Sequence, residues 1–190
     1  RFPILLKELV VEGLVPLERI DEAVERILTI KFELGLFENP YFPFSRYDKF
    51  GSNEHTKVAF QAALECQTLL KNDNILPLSK NRRILVTGPN AHSITALNGG
   101  WSRTWQGRDE KWHTLDKSTV RIAIEKKIGT ANINFEAGTN LKKVIAAAHN
   151  SDVAVVCLGE SPYTEKPGDI DEMLLPKFQL DLVKAIASTG

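Results

Sequence analysis

Residues 83–90 read Arg-Ile-Leu-Val-Thr-Gly-Pro-Asn, a short run of apolar residues that is closed by a glycine and a proline. A run of this length, bounded by turn residues, predicts a strand that is buried on both faces. Two more short apolar runs follow it, at 133–136 and 153–158, and helical periodicity fills the stretches between them. Short buried strands that alternate with helices favour a mainly parallel sheet covered on both faces. The expected fold class is therefore α/β.

The helices of this pattern are identified from apolar residues that recur three and four positions apart. They are expected at about 53–70, 118–127 and 140–149, with a last helix shortly before Gly190. In a parallel sheet, ligands meet the loops that leave the carboxyl ends of the strands. We therefore look for function in the two loops that follow strands here, residues 88–117 and residues 159–175.

Residues 1–36 have helical periodicity as well, with a break at Pro16 and an end at Gly35. Two short helices cannot bury both of their faces against each other, so we expect them to belong to a larger layer outside this chain. The chain begins with Arg1 inside one predicted helix and ends directly after another. We therefore expect it to be a fragment.

The composition changes abruptly over residues 37–54. Aromatic residues and prolines crowd its first part, namely Phe37, Pro40, Tyr41, Phe42, Pro43, Phe44, Tyr47 and Phe50. Prolines prevent a continuing helix, and so many aromatic side chains are unfavourable in a tether surrounded by water. We expect a linker that lies flat against protein and joins two domains. The alternative is a disordered tether.

The charge balance and the cysteine content exclude several classes of protein. The 190 residues carry 24 Lys and Arg against 24 Asp and Glu, a formal net charge of zero. Nucleic-acid and anionic-membrane binding depend on a concentrated positive field, so we expect neither partner. Cys66 and Cys157 are too few for a disulfide framework and are expected to be buried thiols. The four histidines lack metal-ligand spacing with the two cysteines, so no metal site is expected.

The first candidate loop contains Leu-Asn-Gly-Gly-Trp-Ser-Arg-Thr-Trp-Gln-Gly at 97–107. Glycines on both sides of Trp101 and Trp105 indicate a tightly shaped loop rather than a packed element. The flat apolar face of an indole matches the axial C–H groups of a sugar ring, so both residues are candidates for sugar binding. The alternative is that they anchor the loop to its own domain. The earlier Gly88-Pro89-Asn90 turn hints at dinucleotide binding but lacks the G-x-G-x-x-G spacing.

The second candidate loop reads Gly-Glu-Ser-Pro-Tyr-Thr-Glu-Lys-Pro-Gly-Asp at 159–169. It places three carboxylates, Glu160, Glu165 and Asp169, directly after a predicted strand. A carboxyl group in such a loop serves as a general acid when its surroundings raise its pKa. The alternative is a set of solvated surface carboxylates.

Three stretches, taken in order, form a distinctive set of motifs. They are R-I-D-E-A-V-E-R-I-L at 19–28 with K-F-E-L-G-L-F at 31–37; L-L-K-N at 69–72 with L-P-L at 76–78; and G-G-W…W-Q-G at 99–107 with G-E…P-Y-T-E…G-D at 159–169. On these motifs the chain closely resembles the β-glucosidase group of glycoside hydrolase family 3, over essentially its whole length. The last two motifs resemble its exo-β-glucanase-like members.

The resemblance implies a two-domain architecture. Residues 1–36 look like the last helices of a (β/α)8-type barrel, residues 37–54 look like the interdomain linker, and residues 55–190 look like an incomplete α/β/α sandwich domain with a mainly parallel sheet. In this family the active site lies between the two domains, and the barrel supplies an aspartate nucleophile from a Ser-Asp-Trp-like motif.

The site residues follow from the position of each motif. By resemblance, Glu165 rather than Glu160 is the general acid/base, and Trp101 and Trp105 hold the sugar beyond the scissile bond. The only Ser-Asp pair of this chain is Ser151-Asp152, which starts a strand of the second domain. We therefore expect the nucleophile to be missing from this chain, which we predict to be inactive alone.

The function expected from the resemblance is that of part of a retaining, exo-acting β-glucosidase. The substrates would be the terminal β-D-glucosyl residues of β-glucosides or β-glucan oligosaccharides, and the partner would be the missing barrel domain of the same enzyme. No cofactor is needed for hydrolysis, and the family implies a periplasmic or secreted location. The main alternative is a non-catalytic carbohydrate-binding or scaffold module; a nucleotide-binding α/β domain is more distant.

Overall fold

The computed structural model describes residues 1–113 and 117–190. They form two compact units, residues 1–71 and residues 72–190, and each is described by itself. Residues 114–116, which belong to the first candidate loop, lie outside the described residues. No helix in the part of the chain that the structure describes has the length and apolar character needed to cross a membrane.

The first unit contains three α-helices among its described residues: α1 (Phe2–Val11), α2 (Leu17–Glu33) and α3 (Asn53–Glu65). The chain leaves α2 through Gly35, which has a φ of +65°, a backbone conformation that glycine adopts without strain. The α3 helix begins after Ser52, whose hydroxyl accepts a 3.2 Å hydrogen bond from the N–H of His55. The predicted helical content of residues 1–36 is thus confirmed.

The end of α3 differs from the sequence prediction, which extended this helix to residue 70. The backbone N–H of Gln67 bonds to the carbonyl of Leu64 at 3.2 Å, three residues back. The carbonyl of Ala63, which an α-helix would use, instead accepts the side-chain amide of Gln67 at 3.1 Å. A side chain thus replaces a backbone donor, and the helix stops. Cys66 at this end is exposed, so the prediction of a buried thiol is wrong there.

The first unit exposes a large amount of apolar surface. None of the residues of α1, α2 or α3 is buried. In the aromatic stretch that follows α2, Tyr41, Phe44 and Phe50 are each more than four-fifths exposed. Exposed apolar surface on this scale is typical of a region that further protein covers.

The second unit is built on a three-stranded sheet of β1 (Ile84–Thr87), β2 (Ile133–Glu136) and β3 (Val153–Val156). The spatial order is β2-β1-β3 and both pairings are parallel. The predicted parallel sheet and α/β class are confirmed. The third strand ends two residues earlier than predicted. Just beyond it, Cys157 is half-buried, and burial raises the pKa of its thiol, as expected for an unreactive cysteine.

Helices cover both faces of this sheet: α4 (Val120–Ile128), α5 (Leu141–His149) and α6 (Lys177–Ala187). Successive residues of a strand point to opposite faces, and β1 shows this in its contacts. Ile84 and Val86 belong to the core on the α4 side, whereas Leu85 packs with Val144 and Leu182 of the other two helices. The sheet is therefore sandwiched between helical layers.

Candidate active site

The two candidate loops leave the sheet side by side. They follow β1 and β3, which are neighbouring parallel strands, so both loops start at the same carboxyl edge. The first begins at Gly88, which has a φ of +104° and lies so close to the Cys157 backbone that a Cβ atom would collide with it. The N–H of Asn90 then donates a 3.2 Å hydrogen bond to the carbonyl of Cys157. The loops are in contact from their first residues.

Further along, side chains of the first loop bind the backbone of the second. The Gln106 amide donates to the carbonyl of Thr164 at 3.1 Å and accepts from the N–H of the same residue at 3.1 Å. Arg108 donates from Nε to the carbonyl of Pro162 at 2.9 Å. Gly100 lies against this segment, and a Cβ atom there would come within 2.5 Å of the Thr164 Cβ. The two loops therefore form one structure.

A second glutamine fixes the start of the second loop to the domain beneath it. Gln179 on α6 is only 2% exposed. Its amide oxygen accepts from the N–H of Gly159 at 2.9 Å, and its amide nitrogen donates to the carbonyl of Gly159 at 2.8 Å. The side chain thus satisfies its own buried polar atoms and orients the loop where it leaves the strand.

Glu165 stands in the middle of the second loop with an unusual backbone. Its φ of 54° and ψ of −143° lie in a region that residues other than glycine rarely adopt, at a cost of about 1–3 kcal/mol. Its carbonyl accepts the N–H of Gly168 at 2.7 Å. Its side chain is exposed, and among the described residues the carboxylate has no hydrogen-bond or ion-pair partner. The Glu165 backbone is thus held in a turn, while its carboxylate is exposed.

Glu160, the other glutamate of this loop, is bound to a neighbour. The Tyr163 hydroxyl donates a 2.8 Å hydrogen bond to Oε2 of Glu160. This hydrogen bond, with the negative charge behind it, raises the pKa of Tyr163, so the phenol stays protonated and continues to donate. The two glutamates, which composition alone does not separate, therefore occupy different environments.

The two tryptophans of the first loop lie at its surface. Trp101 is 69% exposed and Trp105 is 51% exposed. Their ring centroids are 6.4 Å apart and the ring planes are inclined by 48°. The N–H of Trp101 donates to the carbonyl of Trp105 at 2.8 Å, and Trp101 and Arg103 have φ angles of +63° and +64°. The backbone forms a tight, strained turn that presents two neighbouring indoles to the outside.

A cleft of about 350 Å³ opens between the two loops, but it does not contain the residues predicted for the site. Its walls include Asn90, Arg108 and Glu160, whereas Glu165 and the tryptophans lie outside it on the exposed surface of the loops. Within residues 1–113 and 117–190, no group of three or more His, Cys, Asp or Glu side chains is arranged to hold a metal ion. The predicted site residues thus face outward rather than enclosing a ligand.

Gln106 and Gln179, which bind the second loop, are not among the site residues predicted from the sequence, although each has a signal there. Gln106 lies inside the Trp-Gln-Gly motif, between the candidate sugar-binding Trp105 and Gly107. Gln179 occupies the same face of α6 as Leu182 and Ile186, so a polar residue stands on an apolar stripe. Such a residue needs a partner when it is buried. Its partner is the backbone of Gly159, twenty residues earlier, and periodicity does not identify such a contact.

Comparison with known proteins identifies the family. The profile of the glycosyl hydrolase family 3 C-terminal domain matches residues 67–190. The chain is 37% identical to the lysosomal beta glucosidase of Dictyostelium discoideum over its full length, which is 25% of that protein. It is 32% identical to a beta-xylosidase of Formosa agariphila, with 98% of this chain and 27% of that protein covered. It is also 27% identical to the periplasmic beta-glucosidase of Salmonella typhimurium, over 97% of this chain and 28% of that protein.

A solved structure agrees with these relatives. The β-glucosidase from Listeria innocua, determined in complex with glucose, matches 97% of this chain and 26% of its own chain, with a TM-score of 0.80 and 33% identity. The chain spans about a quarter of the length of the relatives that it matches. The motifs, the sandwiched parallel sheet and the matched profile agree, and the chain belongs to glycosyl hydrolase family 3, whose C-terminal domain covers its residues 67–190.

Proposed function

We propose that this chain supplies the acid/base loop and an aromatic sugar-binding loop to a retaining, exo-acting β-glucosidase. One observation carries the proposal: Glu165 has a free carboxylate on a strained backbone, in a loop that is bonded to the tryptophan loop. Strained residues persist only where the surroundings hold them, and they cluster at active sites. The substrates that fit are the terminal β-D-glucosyl residues of β-glucosides or β-glucan oligosaccharides.

The proposed reaction uses two carboxyl groups in two steps. An aspartate outside this chain attacks the anomeric carbon while Glu165 donates its proton to the departing glycosidic oxygen, which leaves a covalent glycosyl-enzyme. Glu165, now a carboxylate, removes a proton from the incoming water, and the water oxygen displaces the aspartate with net retention. Retaining glycosidases hold the two carboxyl groups about 5–5.5 Å apart. An acid on the outer surface of its own domain is suited to meeting a nucleophile carried by another.

We assign that nucleophile to a barrel domain and place the domains as the sequence suggested. Residues 1–36 would be the last barrel helices, 37–54 the linker, and 55–190 the sandwich domain. The exposed apolar surface of residues 1–71 supports a covering domain. So does the length of the relatives, about four times that of this chain. The barrel of the same enzyme is then the partner of both units.

Trp101 and Trp105 are assigned to the sugar that lies beyond the scissile bond. Two exposed, mutually inclined indoles offer apolar faces to the C–H groups of pyranose rings, and the tight turn holds them in place. Sugar binding at this position would bring the glycosidic oxygen toward the adjoining loop, where Glu165 stands. No cofactor has a role in this scheme. A periplasmic or secreted location is proposed, consistent with the Salmonella relative.

The proposal is tested with Glu165→Ala in the full-length enzyme. A missing general acid matters most for a poor leaving group, because an activated phenolate departs without a proton. We expect kcat/KM for cellobiose to fall by about 10²- to 10⁴-fold, with a far smaller loss for a dinitrophenyl β-glucoside. Added azide should accelerate turnover of the dinitrophenyl substrate and yield a β-glycosyl azide. Equal losses on both substrates without azide rescue would favour a non-catalytic sugar-binding role for the loop.

A further inference from the structure

The link between Gln106 and Thr164 lies directly before the acid/base proposed above. Thr164 precedes Glu165, and its carbonyl belongs to the same planar peptide group as the N–H of Glu165. The Gln106 amide bonds to both backbone polar groups of Thr164, donating to the carbonyl and accepting from the N–H at 3.1 Å each. Two bonds from one amide fix the direction of a backbone segment as well as its distance. The orientation of the peptide that leads into Glu165 is therefore set from the first loop.

The backbone of Glu165 needs such support on both sides. Its φ is positive, a conformation that relaxes when the surroundings stop holding it. On the far side, the Glu165 carbonyl accepts the N–H of Gly168 at 2.7 Å, which closes a short turn that belongs to the same loop. On the near side, Gln106 supplies the only bonds from outside this loop that the described residues make to Thr164 or Glu165. Among the described residues, Gln106 thus supplies the hydrogen bonds that hold the residue before Glu165 from outside the loop.

We propose that Gln106 is a positioning residue, which keeps Glu165 at the position relative to the tryptophans that proton transfer needs. The proposal rests on the function proposed above. Gln106 follows Trp105 in sequence, so the residue that orients the acid is attached to the residue assigned to the sugar. A displacement of a catalytic group by about 1 Å costs about 10²-fold in rate. The Gln106 amide therefore couples the position of the bound sugar to the position of the Glu165 carboxyl group.

The test is the leaving-group dependence of Gln106→Ala in the full-length enzyme. The parameter kcat/KM reports the step in which the glycosidic oxygen leaves. We expect kcat/KM for cellobiose to fall by about 10- to 100-fold, with a change of at most about 3-fold for a dinitrophenyl β-glucoside, which needs little protonation. Azide should partly restore turnover of the activated substrate. If Gln106 served stability alone, its loss would lower kcat/KM for both substrates by a similar factor.

Gln106→Glu serves as a second variant of nearly the same size. It keeps an acceptor for the Thr164 N–H but puts an oxygen against the Thr164 carbonyl, so we expect the same dependence on leaving group. It decides the matter if Gln106→Ala does not fold. Asn98→Ala is the matched control, because Asn98 lies in the same loop and its amide binds within that loop, to the carbonyl of Ile94 at 2.8 Å. We expect no leaving-group dependence for it.

Glu165→Ala in the same assays separates the two proposals. If Glu165→Ala lacks the leaving-group signature, the proposed function fails, and the role of Gln106 fails with it. Suppose instead that Glu165→Ala has the signature, but that the folded Gln106 variants lower kcat/KM equally for both substrates, or for neither. Only the positioning role is then overturned. The signature in Glu165→Ala and Gln106→Ala, and its absence in Asn98→Ala, would support both proposals.

Discussion

The Tyr163 hydroxyl donates a 2.8 Å hydrogen bond to Glu160, inside the loop that also carries Glu165. This contact gives Glu160 a different environment from Glu165, which lies five residues later. Glu160 accepts a hydrogen bond from a phenol and lines the cleft between the loops. The Glu165 carboxylate has no partner among the described residues. A group that is already bound to its neighbour is suited to shaping the loop, and a free one to meeting a substrate.

We therefore expect Glu160→Ala to lack the kinetic signature of a missing acid in the full-length enzyme. Its kcat/KM should change by a similar factor for cellobiose and for a dinitrophenyl β-glucoside, because protonation of the leaving group is untouched. Azide should not accelerate it. Steady-state kinetics on both substrates, with and without azide, measure this. If azide rescues Glu160→Ala and leaves Glu165→Ala unchanged, the assignment within the loop is reversed.

The 190-residue chain, produced alone, should hydrolyse no aryl β-glucoside above background. The proposed nucleophile lies outside it, and a general acid by itself leaves the first step without an attacking group. Release of nitrophenol by the purified chain, with full-length enzyme as the positive control, provides the measurement. Turnover that disappears in Glu165→Ala would contradict the two-domain site. The nucleophile would then be sought among Glu160, Asp169 and Asp171.

Replacement of Trp101 or Trp105 by alanine should weaken the use of oligosaccharides more than the use of a small aryl glucoside. The difference should be about 1–3 kcal/mol in transition-state stabilisation, as for other aromatic contacts. The measurement is kcat/KM for laminari- or cello-oligosaccharides against a nitrophenyl glucoside. Trp112→Ala is the control, since Trp112 is also exposed but lies in a different turn. Equal losses on both substrates with a lower Tm would make the pair structural.

The sandwich domain was more predictable from the sequence than its site. Periodicity and turn residues placed β2 at 133–136, as the structure has it, because buried apolar runs reflect packing along one element. The hydrogen bonds between the two loops connect segments far apart in sequence, as between Gln106 and Thr164. Such contacts leave no periodic pattern in the sequence. The end of α3 was missed for a related reason. There the Gln67 side chain takes the Ala63 carbonyl from the backbone N–H, a contact that helix propensity does not predict.

Acid should selectively weaken a link at the opposite, amino edge of β1 and β3. Arg83 donates from Nη2 to Oδ1 of Asp152 at 2.6 Å and from its backbone N–H to Oδ2 at 2.8 Å. These hydrogen bonds lower the pKa of Asp152 from 3.8 to about 2. A lowered carboxyl pKa stabilises the fold above the unfolded pKa, and the stabilisation is lost as the pH falls toward the folded value.

The matching experiment compares Asp152→Asn with the parent enzyme. We expect the parent to have the higher free energy of unfolding above about pH 4, with a difference that shrinks as the pH is lowered to about 2, since protonated aspartate and asparagine are alike. Denaturant unfolding at a series of pH values, followed by circular dichroism, measures this difference. A gap between the two proteins that is the same at every pH would mean that the charge of Asp152 contributes nothing.

The bonds from Gln106 go to the main chain of residue 164, not to its side chain. Main-chain groups are common to all residues except proline, which lacks the N–H. The side chain at 164 is therefore open to exchange by protein engineers, provided that it clears Gly100. By contrast, a loop 88–117 grafted from another enzyme will need an amide at position 106 to receive the second loop. Libraries that diversify residue 164 while keeping Gly100 and Gln106 are the ones in which folded, correctly arranged variants should be most frequent.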